Sequence, residues 1–185
     1  EAFSFYSISD SLKIGLFKSR MTIFTKDGGT SWSEPSPTAS LKYGGAKIWG
    51  QKLDNNQYAL VYNPTDNKNR HPLGVAISDD GFNFNNLSLV HGEVPVKRYW
   101  GIEKRPGPQY VRGISEGNGN PPGNDLWVVY SVSKEDIWIS KIPVPISRLQ
   151  NGKIEDTFNQ ASSMDIIKGW NIYRPKWCPV SIRKI

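Results

Sequence analysis

The sequence is poor in the residues that build metal centres and disulfide frameworks. It holds one cysteine, Cys178, and two histidines, His71 and His91. A single thiol excludes an internal disulfide and a cysteine-rich zinc site, and two imidazoles leave too few ligands for a multi-histidine centre. No apolar run reaches the length of about 18 residues that a membrane-crossing helix needs. The net charge is +6, yet no block of five or more basic residues occurs, which argues against nucleic-acid binding. There is no Gly-x-Ser-x-Gly, no P-loop and no dinucleotide glycine pattern after a strand. Asp27 and Asp80 lack the spaced acidic ligands of a calcium-binding loop. No metal and no cofactor is therefore expected. No signal peptide is visible, and a chain opening on Glu1 reads as a fragment or a mature product.

What is present points to strands and turns. Aromatic residues make up 12% of 185 residues, beside 17 Gly and 13 Pro. That mixture suits many short strands separated by tight turns. The modest positive charge fits an anionic small ligand such as an acidic sugar.

The most informative stretch is Thr25-Lys26-Asp27-Gly28-Gly29-Thr30-Ser31-Trp32. The apolar run Met21–Phe24 enters it, and Trp32 is expected to begin a return strand. Asp27 can accept hydrogen bonds from amides further on. Gly28 and Gly29 permit positive φ, and the hydroxyls of Thr25, Thr30 and Ser31 can reach backbone groups that the turn leaves over. Trp32 can pin the turn on its own sheet. The pattern Thr25, Asp27, Gly29, Ser31, Trp32 resembles the Asp box, or BNR repeat, of the sialidase-like β-propellers. Residues 46–51, 107–113 and 130–138 also resemble phrases of bacterial sialidase-like proteins. The Asp box carries structure, since it lies on the outer rim of such propellers.

The resemblance implies an all-β fold: about three blades of a six-bladed propeller, each a four-stranded antiparallel sheet. The blades fall near 1–38, 44–92 and 107–145. Alternation marks strands in the first 20 residues, at 46–53, 57–62, 72–78 and 82–89, then at 109–114, 125–132 and 137–142. Ser78-Asp79-Asp80-Gly81-Phe82-Asn83-Phe84 is a box one residue short, with Phe84 in the tryptophan position. Asp27, Asp80 and Asp136 are spaced like a blade period. Residues 146–185, with the cluster Asn171, Tyr173, Lys176 and Trp177, read as a tail that closes the propeller or leads to a further domain. Three blades leave sheet faces open, so remaining blades or another domain are expected partners.

In such propellers the inner strands line a channel, and ligands bind opposite the Asp-box rim. Candidate ligand contacts are therefore Arg112 on a first strand, Arg70 and His71 in a long loop, Tyr62 and Asn63 just before it, Lys47, and His91 with Glu93 after a fourth strand. Arg112 can clamp a carboxylate or pair with Glu116. His71 can titrate near neutrality. The connector residues Lys97, Arg98, Tyr99, Trp100, Lys104 and Arg105 combine cations with rings, which suits an acidic saccharide. Sialidases use a tyrosine nucleophile assisted by a glutamate, with three arginines on the substrate carboxylate. The resemblance offers Tyr130 and Glu116 for the pair, with His71 as a further catalytic candidate. Tyr130 also reads as a core residue beside Leu126 and Val128. One arginine, Arg112, suits the triad, with Arg20 and Arg70 as weaker candidates, and the arginine motif near the start of sialidases is absent.

Three functions follow as expectations: a glycoside hydrolase acting on an acidic sugar, a non-catalytic carbohydrate-binding propeller, or a lyase that removes a proton beside a uronate carboxylate. The resemblance implies a secreted or periplasmic protein.

Overall fold

A computed structural model describes residues 2–41, 44–65, 70–114 and 124–146. The tail cluster at 171–177, Cys178 and Glu116 lie outside the described residues. The described chain is all-β and folds into three antiparallel sheets. The first holds β1 (Ser4–Ser7), β2 (Lys13–Leu16), β3 (Met21–Thr25) and β4 (Ser36–Pro37), in that order. The second holds β5 (Trp49–Lys52), β6 (Tyr58–Tyr62), β7 (Leu73–Ser78) and β8 (Asn85–His91). The third holds β9 (Pro108–Gly113), β10 (Leu126–Val132) and β11 (Asp136–Ile142). Each sheet is a meander in which consecutive strands pair, as short turn-linked strands favour.

The second sheet lies between the other two. Its strands β6 and β7 are buried along their whole length, so both faces are covered and their sequences read as continuous apolar runs. One face, with Leu60 and Ala76, packs on Tyr6, Ile14 and Leu16 of the first sheet. The other, with Val61, Val75 and Ile77, packs on Val111, Val128 and Val132 of the third. On β10 the buried and half-buried positions alternate with period two, which places Leu126, Val128 and Tyr130 inward. The first strands come together: β1 neighbours β5, and β5 neighbours β9, with the Ser4 hydroxyl donating to the Ile48 carbonyl at 3.0 Å. The sheets therefore stack face to face with their first strands side by side, the arrangement of propeller blades.

Two readings of the sequence need correction. Trp32 does not begin a strand; residues 31–35 are irregular, and the return strand is only Ser36–Pro37. Pro37 sits in that strand opposite Met21, tolerable because β4 is an edge. Asp136 is also not the periodic mate of Asp27 and Asp80. Those two follow third strands, whereas Asp136 opens the third strand β11, opposite Val132.

Candidate functional site

The two ends of the stack differ in chemistry. One carries the acidic turns. In the first, the Thr25 hydroxyl donates to Asp27 at 2.6 Å and accepts from the Gly29 amide at 3.0 Å, while Asp27 accepts from the Ser31 amide and hydroxyl. In the second, Ser78 and Asp80 repeat the scheme: the Ser78 hydroxyl bonds Asp80 and the Gly81 amide, and Asp80 accepts from the Phe82 and Asn83 amides. One residue fewer is accommodated because Gly81 and Asn83 answer at three residues' distance where Gly29 and Ser31 answer at four. Hydrogen bonds from Ser31 hold the Asp27 carboxyl well below the usual carboxylate range, and backbone amides led by that of Asn83 do the same for Asp80. Phe84 fills the tryptophan position and packs on Tyr6 across the sheet boundary. The Trp32 indole donates to the Gly29 carbonyl and meets Phe3 edge-on. Both turns are fully occupied with holding themselves together.

The other end is built from the links between second and third strands and from the connectors between sheets. Asn63, at the end of β6, is 2% exposed. Its side-chain amide donates to the carbonyls of Arg70, Pro72 and Pro108 at 3.1, 2.9 and 2.9 Å. One NH2 group thus ties the returning loop to the start of β9 in the next sheet. Gly107 lies against the same loop with φ +96°, and a Cβ there would stand 2.4 Å from the Arg70 carbonyl oxygen. This staple sets Arg70 and His71 at the mouth. Arg70 donates to the Gly45 carbonyl at 3.3 Å. Burial, and secondarily His91, lowers the His71 pKa, so its ring is neutral at neutral pH.

Beside the staple, β9 carries a bulge. The pairing with β10 shifts between Val129 and Ser131, so Tyr110 and Val111 together face Tyr130. Tyr110 has φ 61°, an uncommon conformation for a bulky residue. The bulge turns its ring outward, as bulges do. Two ammonium groups flank that ring: Lys47, from the connector before β5, at 4.9 Å and Lys134 at 5.4 Å from its centre. Lys134 belongs to a type I′ turn, with φ 54° at Ser133 and 57° at Lys134 and a Glu135 amide bond to the Val132 carbonyl. Further along β9, the Arg112 guanidinium lies 5.1 Å above the Trp49 ring, whose Nε1–H donates to Gln51 at 3.1 Å. Neither Lys47 nor Lys134 joins a salt bridge among the described residues. The mouth is an exposed ring approached by two cations, with Arg112 on the same strand and Arg70 in the loop between β6 and β7.

The next residue of the turn, Glu135, faces the connector between β8 and β9. Its carboxylate accepts from the Arg98 amide at 2.9 Å, the Tyr99 amide at 2.8 Å and the Lys104 ammonium at 2.5 Å. These donors, led by the Arg98 amide, lower its pKa from 4.5 to about 2. The carboxylate's hold on the connector is complete above pH 4.5 and is lost as the pH falls toward 2. Protection of the Arg98 and Tyr99 amides from hydrogen exchange, relative to their intrinsic rates, is expected to fall across that window; unchanged protection would show that the connector is fixed by other contacts.

No family model matches the chain, and no curated protein does. A solved structure described as "Sialidase" matches 99% of this chain at 44% identity with a TM-score of 0.74. The chain has a sialidase-like fold. It spans 17% of the length of that sialidase. A second structure, described as "YCF48 bound to D1 peptide", aligns over 75% of this chain and 40% of its own at 13% identity with a TM-score of 0.37, too loose a superposition to carry an argument.

Within this sialidase-like fold the proposed site residues separate into groups. Lys47, Arg70, His71 and Arg112 lie on the mouth and the inner strands. Asn63 is there as the buried staple, and Tyr62 is buried, with burial raising its phenol pKa. Tyr130 is elsewhere. It is 2% exposed, and its hydroxyl is 3.0 Å from His91 Nδ1 and 2.7 Å from the Ser140 hydroxyl. His91 Nε2 lies 2.9 Å from the Glu93 carbonyl. A carbonyl only accepts, so Nε2 carries the proton and Nδ1 accepts from Tyr130. This chain of bonds joins β8 to β10 between two sheets, and burial raises the Tyr130 pKa. Such a tyrosine suits packing rather than nucleophilic attack. β9 runs from Pro108, beside Asn63, toward the Asp-box end; Glu116 lies outside the described residues. Sequence reasoning missed Tyr110, Lys134 and Glu135. A bulge and a two-residue turn leave no periodic signal, although Ser133-Lys134 between two strands marked the turn itself. No described cluster of His, Cys, Asp and Glu could hold a metal ion, and no described helix is long and apolar enough to cross a membrane.

Proposed function

We propose that the chain is part of a secreted or periplasmic glycan-active protein of the sialidase superfamily, and that its mouth binds the carboxylate-bearing ring of an acidic sugar. One observation carries this reading: Tyr110, held at positive φ in a bulge, presents an exposed ring with the Lys47 and Lys134 ammonium groups 4.9 and 5.4 Å from its centre. Backbone strain of this kind costs about 1–3 kcal/mol and is retained where it positions a group for use. Aromatic faces suit the C–H face of a sugar, and the ammonium groups suit its carboxylate. Arg112 and Arg70 extend the cationic surface. In this reading the described residues supply binding, and the acid–base pair of a hydrolase comes from outside them, Glu116 included as a candidate.

A lyase is the second reading. It is favoured by His71, which burial keeps neutral beside Arg70. A neutral imidazole can take the proton adjacent to a uronate carboxylate that an arginine neutralises. The products separate the two: a lyase leaves an unsaturated, ultraviolet-absorbing sugar, and a hydrolase does not.

The binding test uses the intact protein with sialic acid, galacturonic acid and their oligomers. Lys47→Ala and Arg112→Ala are each expected to weaken binding about tenfold or more, the worth of one charge-assisted hydrogen bond. Tyr110→Gly is expected to abolish detectable binding while leaving thermal stability equal or higher by up to about 1 kcal/mol, because glycine relieves the positive φ. Unchanged affinity in all three variants would remove the mouth from the site.

A further inference from the structure

The turn between β10 and β11 serves two directions with consecutive side chains. Lys134 flanks Tyr110 at the mouth, and Glu135 anchors the connector that leads from β8 to β9. That connector is irregular, yet a carboxylate only 4% exposed holds it by two backbone amides and the Lys104 ammonium. A loop ordered in this way ordinarily tucks its apolar residues beneath it. Here the opposite holds: Trp100 is 81% and Tyr99 67% exposed. Cations lie beside both rings, with Lys97 5.8 Å from Trp100 and Lys104 5.2 Å from Tyr99. The Lys97 ammonium also donates to the Lys104 carbonyl, which closes the arm on itself. Arg98 is paired with Asp136 at 2.6 Å, so its guanidinium fixes the arm to β11.

We infer that this connector is a second sugar subsite, continuous with the mouth, in which Trp100 and Tyr99 stack the next ring of an acidic polysaccharide and Lys97 receives its carboxylate. The inference rests on the reading of the mouth as an acidic-sugar site and deepens it: the natural ligand is a chain of acidic sugars rather than a single terminal one. Three features favour this occupant. The Lys97 ammonium stands 5.8 Å from the Trp100 ring centre, within reach of a carboxylate on a sugar stacked there. The arm is preorganised, so binding costs little ordering entropy. The single turn 133–135 links both subsites, so a ligand in one lies beside the other. Glu135 is a positioning residue; it touches the arm and not the ligand.

The test measures affinities of the intact protein for sialic and galacturonic acid and for oligomers of each. The wild type is expected to bind one oligomer at least tenfold more tightly than its monomer. Trp100→Ala should erase most of that difference, about tenfold, as for an aromatic anchor, and change monomer affinity less than twofold. Glu135→Gln should reproduce the oligomer loss and accelerate amide exchange at Arg98 and Tyr99, a readout that loss of a mere surface contact would not move. Equal monomer and oligomer affinities in the wild type, or an oligomer affinity untouched by Trp100→Ala, would overturn the second subsite and leave the mouth standing. Binding of none of these sugars by the wild type would overturn both. Resistance of Trp100 to a soluble quencher in the ligand-free intact protein would overturn the inference alone, since the arm would then be covered by protein.

Discussion

Asn63→Asp is expected to cost on the order of 3–5 kcal/mol, a large share of the 5–15 kcal/mol by which a domain is stable. The present amide gives its N–H groups to the carbonyls of Arg70, Pro72 and Pro108. A carboxylate in its place has the same shape and no donor. It would bury a charge against three acceptors, which adds desolvation and repulsion to the lost hydrogen bonds. Asn63→Ala leaves the carbonyls unsatisfied without the charge and should cost less, about 2–3 kcal/mol. The order of the two variants is the informative part. The aspartate deficit should also shrink as the pH falls, because the introduced carboxyl, its pKa raised by burial, regains a donor once protonated. Chemical denaturation of the intact protein at neutral and mildly acid pH measures both effects. Equal losses for the two variants, with no pH dependence, would mean that Asn63 does not bridge the two sheets.

Gly50→Ala should destabilise by about 1–3 kcal/mol, the range for overpacking a closed core. A Cβ at Gly50 would stand 2.4 Å from Leu16 Cδ1 and 2.7 Å from the Tyr6 ring. Tyr6 has little room to yield, since its hydroxyl donates to the Gly81 carbonyl at 2.8 Å and its ring packs on Tyr58 and Phe84. The first and second sheets meet at this point, so the variant reports on how closely the blades approach. Combining Gly50→Ala with Leu16→Ala should cost less than the sum of the two single changes, because the truncation frees the space that the added methyl needs. Strict additivity in thermal unfolding would place Gly50 away from Leu16 and would contradict the stacking of these sheets.

Much of the architecture was legible because it is written in local chemistry. Thr25, Asp27, Gly29 and Ser31 bond one another within seven residues, so their spacing alone announces the turn. Ser78, Asp80, Gly81 and Asn83 do the same in a shorter loop. The alternation at Leu126, Val128 and Tyr130 named the buried face of β10, and the apolar runs at 58–62 and 73–78 suited strands buried on both sides. Misreadings arose where spacing stood in for pairing. Asp136 falls at a blade-like distance from Asp80, yet strand order within the sheet, which spacing does not encode, puts it at the opposite end. Trp32 resembled a strand start because large aromatics favour strands, but its indole is bonded to Gly29 and keeps the chain irregular until Ser36.

The candidate site was legible in part. Lys47, Arg70, His71 and Arg112 were named from their places on connectors, loops and inner strands. Asn63 was named as a ligand contact and stands as the buried staple beneath the loop. Tyr110, Lys134 and Glu135 escaped notice because their roles depend on a bulge and on contacts between residues far apart in sequence. Tyr130 drew attention through its resemblance to a nucleophile, and its burial with His91 and Ser140 depends on the packing of two sheets.

The central claim is that the acidic turns and the ligand mouth occupy opposite ends of one stack of sheets. Hydrogen exchange of the intact protein, with and without an acidic oligosaccharide that it binds, tests this most directly. The account predicts slowed exchange at 44–49, 97–112 and 133–135, with the turns at 26–31 and 79–84 unaffected. Protection confined to those acidic turns, with none at the mouth, would contradict it.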